Sequence, residues 1–252
     1  MGRHKRYKAG DLIIVGNSDI VVEVMEYRSW EDVVVKFPSG YVTETQVGHI
    51  LRGNVKDVFQ PSVAGVGFIG DGKYSATDGR RGTVEYEYWS GMLRRVYDEK
   101  VVQKFPTYSE VSCCSEWHNF QNFAEWFHNH GYFDKGWHLD KDLIIPKNKT
   151  YSPEGCCIVP NEINQFLLLN VSRRGGLPTG VTYRSDRGTY RVIVSVGGKP
   201  KNLGTYRTTE EAFQVYVEGK REAARLLANK WEGLVDKRAI KRLLNFDVRE
   251  YL

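Results

Sequence analysis

WHLDKDLIIPKNKTYSPEGCCIVPNEIN, residues 137–164, gathers acidic, amide and imidazole side chains between two short apolar runs. His138-Leu139-Asp140 closes one predicted strand and Cys156 to Val159 forms a second. Pro160-Asn161-Glu162-Ile163-Asn164 then opens an apolar run with helical period. The order is strand, loop, strand, helix. Divalent-metal chemistry needs hard oxygen ligands converging from separate elements, and Asp140 at a strand end with Asn164 in the helix meets that requirement. Asp142 stands two residues beyond Asp140. His138 lies two residues before Asp140, so on a strand it shares a face with it. Lys141 follows Asp140 directly, and a lysine near its unperturbed value of about 10.4 stays protonated at neutral pH.

This order and spacing resemble the ββα-metal finger of the HNH endonucleases. SPEGCCIVPNEIN lies over the family pattern R-I-E-N-L-x-x-V-x-x-x-x-N. Glu154 falls on the Glu, Gly155 on the Asn, Cys156 on the Leu, Val159 on the Val and Asn164 on the last, metal-binding Asn. Asn148-Lys149 is similar to the family's loop Asn-Lys. Three features depart: Lys141 stands where the general-base His is expected, the loop carries extra residues from Leu143 to Lys147, and Gly155 replaces an Asn. The resemblance implies a metal-dependent DNA endonuclease, a phosphodiester hydrolase. One Mg²⁺ or Mn²⁺ would sit on Asp140 and Asn164 with Asp142 as a reserve ligand, His138 would act as base, Lys141 would touch a phosphate, and Glu162 would orient a water or support the helix N-terminus.

The chain of 252 residues has a net charge of +5, 41% hydrophobic and 13% aromatic residues, the profile of a folded protein with several compact units. It contains no run of 18 apolar residues and no apolar stretch behind the basic N-terminus. The expectation is therefore a protein neither membrane-spanning nor secreted by a signal peptide, and the resemblance, which extends to phage nucleases, implies the cytoplasm of a host cell. Four cysteines form two adjacent pairs, Cys113-Cys114 and Cys156-Cys157. Two sulfurs per strand face fall short of a structural zinc site, so buried free thiols are expected. Charge is uneven: residues 171–252 hold 17 Lys and Arg against 9 Asp and Glu, which leaves −3 for residues 1–170.

Three domains of an α+β protein are expected. Residues 1–82 alternate β-branched runs with turn residues, as in a small β barrel or meander with strands near 11–15, 20–26, 32–37 and 41–43. Trp30, Tyr27 and Phe37 suit its core, or a surface platform. The glycine-rich segment 65–82 reads as tight turns around a hairpin, because it lacks the Lys-Ser/Thr ending of a phosphate loop. Residues 83–170 carry two aromatic helices ahead of the finger. One holds Trp89, Met92, Leu93 and Val96; the other holds Trp117, Phe120, Phe123 and Phe127, with Ser115 as N-cap. His118, His128 and His130 lack zinc-site spacing.

Residues 171–252 follow a Gly/Pro linker. Strands near 181–184, 189–196 and 202–206 lead to a helix capped by Thr208 or Thr209, a three-stranded sheet with one face on the helix and one free. Gly180-Val181, Gly188-Thr189-Tyr190-Arg191, Gly198-Lys199, Leu203-Gly204-Thr205-Tyr206 and Glu210-Glu211-Ala212 resemble the ethylene-response-factor DNA-binding domain and its relatives in phage homing endonucleases. The resemblance implies that the sheet enters the major groove of double-stranded DNA. Thr182, Arg184, Arg187, Arg191, Ile193, Lys199, Lys201 and Arg207 would face it, with Arg173 and Arg174 along phosphates. The last segment, 235–252, is an amphipathic helix that docks back on the chain or forms a homodimer seam. A non-enzymatic phage DNA-binding regulator is the alternative function, and the acidic N-terminal part is a candidate surface for a host protein.

Overall fold

The computed structural model describes residues 6–130, 136–169 and 176–252. It is mixed α+β, with several small sheets and seven α-helices among those residues. No helix there is long and apolar enough to cross a membrane. The chain forms two compact units, residues 1–98 with 118–123, and residues 99–117 with 124–252.

The first unit opens with β1 (Leu12–Ile14), β2 (Val21–Ser29), β3 (Asp32–Lys36) and β4 (Val42–Thr45), an antiparallel meander in sequence order. Alternation buries Val22, Val24, Val33 and Val35 on one face, where Phe37 and the α1 residues (Val47–Leu51) Val47 and Ile50 close the core. Tyr27 and Trp30 pack at its edge. The glycine-rich segment holds one hairpin, β5 (Thr77–Asp78) with β6 (Arg81–Gly82), and then α2 (Val84–Tyr97).

Its glycines answer to packing. A Cβ on Gly67 would stand 2.4 Å from Leu93 Cδ1, and one on Gly72 would stand 2.4 Å from Gln121 Oε1. That room lets Gln121 accept from Tyr74 N and donate to the Tyr74 and Ile69 carbonyls. Trp89 of α2 packs on Phe120, ring centroids 5.4 Å apart.

The second unit begins with α3 (Glu99–Lys104) and β7 (Ser112–Cys113). The aromatic helix expected from Ser115 starts later, as α4 (Phe120–Asn129), because Asn119 Oδ1 accepts from Gln121 N and breaks the run. Ser115 to His118 is a separate 3₁₀ turn that carries Trp117. β8 (Trp137–Asp140) pairs antiparallel with β10 (Cys157–Pro160); β9 (Thr150–Tyr151), in the loop between them, pairs parallel with β7. α5 (Asn161–Leu167) follows.

β11 (Val181–Arg184), β12 (Thr189–Val196) and β13 (Lys199–Tyr206) form an antiparallel sheet in sequence order. Val181, Val192 and Val194 turn to α6 (Thr209–Trp231), which is launched by a capping box between Thr208 and Glu211. Gly180 has φ +78°, and a Cβ there would fall 1.9 Å from the Tyr216 ring, so only glycine fits the approach to α6. α7 (Lys237–Leu244), capped by Asp236, ends the series.

The boundary expected at 170/171 is not a division between compact units. Lys220 of α6 is buried with Nζ 2.6 Å from the Phe166 carbonyl and 3.4 Å above the Phe166 ring. Glu162 of α5 accepts from Lys230 and, at 3.2 Å, from Trp231 Nε1. These ties join the expected second and third domains.

Candidate functional site

Asp140 ends β8 directly opposite Cys157 of β10. It is 8% exposed, and its Oδ1 accepts from the backbone N–H of Asp142 at 3.0 Å and of Leu143 at 2.7 Å, so one carboxylate oxygen turns the chain out of the strand. Burial lifts its carboxyl to about 6, against the pull of those two amides and of Lys141. Among the described residues its Oδ2 has no hydrogen-bond partner.

Lys141 does not present its ammonium outward. Nζ donates to both oxygens of Asp142 at 2.8 and 2.9 Å and to the Asn148 carbonyl at 2.6 Å, with the side chain 12% exposed. Lys141, expected at a phosphate, and Asp142, expected as a reserve ligand, thus pair with each other in the loop. Asn148 completes the clamp. Its Nδ2 donates to the carbonyls of Lys141 and Thr150, and its Oδ1 accepts from Thr150 N. A Cβ on Gly155 would lie 2.5 Å from Asn148 Nδ2, so a larger residue there would displace that amide.

His138 is half-buried on β8 opposite Val159, on the Asp140 side of the strand by alternation. Asn164 is half-buried in α5 beside the buried Ile163. Glu162 is committed to Lys230 and Trp231, so it ties α5 to α6 rather than orienting a water. Among the described residues, no three His, Cys, Asp or Glu side chains come together in a way that holds an ion. The cysteines are free thiols; burial pushes Cys156 up to about 12 and Cys157 well above its ordinary value.

The open face of the β11–β13 sheet is the other candidate surface. Register pairs Thr182 with Arg191, Arg191 with Thr205, Arg184 with Thr189 and Ile193 with Asn202. All of these sit on the side away from the buried valines. Thr182, Asn202 and Thr205 are exposed, while Arg191 and Ile193 are half-buried. Arg191 Nε is buried and has no hydrogen-bond partner. Arg184 pairs with Asp186 at 2.8 Å, Arg187 approaches the same carboxylate at 3.6 Å, and Arg207 is exposed after β13.

Lys199 and Lys201 depart from the expected face. The ladder shifts register between Val192 and Ile193, which pairs Lys201 with Val194 and Lys199 with Val196. One bulged residue flips a strand's side chains, so both lysines share the α6 side, exposed near the hairpin end. Arg173 and Arg174 lie outside the described residues.

Sequence reasoning singled out neither Arg238 nor Tyr251. Arg238 donates to the carbonyls of Pro153 and Glu154 at 3.0 and 2.9 Å, to that of Cys156 at 3.1 Å, and to Asp236. Tyr251 donates to the Leu143 carbonyl at 2.8 Å. The C-terminal segment therefore docks back and grips the loop between β8 and β10 at both ends. Its only sequence signal was apolar residues at helical spacing, which name no partner. No family model, no curated protein and no solved structure matches the chain.

Proposed function

We propose that the protein is a DNA endonuclease of HNH type that docks on double-stranded DNA through the open face of the β11–β13 sheet. The observation that carries the docking is Arg191, half-buried and with no carboxylate partner among the described residues, on a face lined by Thr182, Arg184 and Thr205. A guanidinium that no carboxylate neutralises suits a phosphate or a guanine edge as acceptor.

The strand–loop–strand–helix order of β8, β10 and α5 supports the hydrolytic part. The uncommitted donors suit Mg²⁺ or Mn²⁺, which accept few protein oxygens and complete their shell with water. Asp140 through Oδ2 and Asn164 through its amide oxygen would hold the ion. When bound, it supplies Lewis-acid stabilisation of charge on the phosphate. His138 takes the proton from the attacking water, because imidazole is the side chain suited to that role at neutral pH. Lys141, Asp142 and Asn148 hold the loop that aims Asp140.

A second reading, binding without cleavage, is favoured by one observation: half of the Asp140 carboxylate is already spent on loop amides. Plasmid nicking with Mn²⁺ decides between them. Asp140→Asn keeps an acceptor for those amides and loses the charge, so it is expected to bind DNA normally and nick at least about 10²-fold more slowly; Asn164→Ala is expected to do the same. Nicking at the wild-type rate in the double variant removes the site. Absence of nicking in the wild type, with DNA binding intact, leaves the second reading.

A further inference from the structure

α7 carries Lys237, Arg238, Lys241 and Arg242 within eight residues and no acid. Two of these cations are committed inside the protein: Arg238 to Asp236 and the 153–156 carbonyls, and Arg242 to Glu250 and the Tyr251 hydroxyl. The other two are exposed, four residues apart and therefore on one helix face, and no described carboxylate pairs with either.

Beside them runs an open groove of about 560 Å³ between α7 and the finger loop, lined by Ile144, Arg238, Lys241, Arg242 and Asn245. Its walls are tied together. Tyr251 holds Leu143, next to the groove residue Ile144, and Arg238 holds the turn that leads into β10. The helix that carries both lysines is thus held beside the loop that follows Asp140, with Lys241 lining the groove and Lys237 one turn before it.

We propose that this groove seats the phosphate backbone of duplex DNA, as a second docking surface next to the finger and separate from the sheet face. The proposal rests on the DNA reading above and adds residues that it does not use. Three of the five lining residues are cationic and one is apolar. A polyanion with regularly spaced charges is served by such a wall, whereas a docked peptide helix needs several apolar anchors. Arg238 and Arg242 are each paired with a carboxylate and shape the wall without adding net charge. Lys237 and Lys241 make the direct contacts, as point charges that read no sequence.

The test is fluorescence anisotropy of the full chain on duplex DNA from 50 to 300 mM salt, with Lys237→Gln/Lys241→Gln beside Arg184→Ala/Arg191→Ala. The lysine pair is exposed, and unchanged circular dichroism verifies its fold. Its log–log salt slope should flatten by about 2, at roughly 0.9 per phosphate, with affinity down about tenfold at low salt and equally on every sequence. Lys237→Arg/Lys241→Arg should restore the slope. An unchanged slope in the lysine pair, with the arginine pair weakened, overturns the groove and leaves the sheet reading intact. A wild-type protein that binds no DNA overturns both. Polyglutamate binding as tightly as DNA, with the same dependence on Lys237 and Lys241, would overturn the assignment to nucleic acid.

Discussion

Replacing Lys220 by methionine should change how the stability of the second unit depends on pH. The Lys220 ammonium is 6% exposed, between the Phe166 ring and carbonyl and a second ring, Phe246, at 5.8 Å. The carbonyl and the ring faces favour the charged form, but burial outweighs them and lowers the value from 10.5 to about 7. In the unfolded chain the lysine regains its ordinary value. Between pH 7 and 10 the unfolded state therefore holds a proton that the folded state has released, and stability rises with pH. The penalty is fully present below pH 7 and lifts as pH climbs. One unit corresponds to about 1.4 kcal/mol, so wild type should gain about 2–3 kcal/mol on Lys220→Met between pH 6.5 and 9. Urea unfolding followed by tryptophan fluorescence reads this directly, since Trp137 and Trp231 sit edge to face at 5.7 Å in the same unit. Subtracting the variant removes every other titration. Stability curves that run parallel within about 0.5 kcal/mol would refute the reasoning and mean that the carbonyl and ring keep the ammonium charged.

Arg238→Ala removes the donors to three carbonyls and should cost the second unit about 2–3 kcal/mol in urea unfolding; Arg238→Lys should recover less than half of it, because an ammonium cannot reproduce the planar fork. Asp186→Asn frees Arg184 from its 2.8 Å partner and should tighten duplex binding about two- to fivefold, equivalent to about 0.5–1 kcal/mol, in the same anisotropy assay. A loss of affinity would place Asp186 as a support for Arg184 rather than a competitor.

Much of the local structure was legible in the residues. β-branched alternation marks β2, β3 and β12 within a few residues of their ends, and Thr208 with Glu211 announces the start of α6. What escaped depends on partners distant in sequence. The bulge that turns Lys199 and Lys201 toward the α6 side is a property of the β12–β13 ladder, invisible in either strand alone. Lys141 looked outward because the pattern before it is a strand, yet the Asn148 carbonyl seven residues on captures its ammonium. Gly155 reads as a defect until the Asn148 amide is found in its place. The break at Asn119 was within reach, since Asn followed by an apolar run is a helix-start signal.

The clamp of the C-terminal segment on the loop between β8 and β10 also sets a schedule for synthesis. Arg238 lies 85 residues after Pro153, and Tyr251 lies 108 residues after Leu143. At about 5–20 residues per second on a ribosome, those gaps correspond to roughly 4–20 s. During that interval β8, β10 and α5 already exist as polypeptide while the 153–156 carbonyls and the loop after Asp140 still face water. The β8–β10 hairpin of a nascent chain is thus unbraced until Tyr251 has been made, well after both strands have been synthesised.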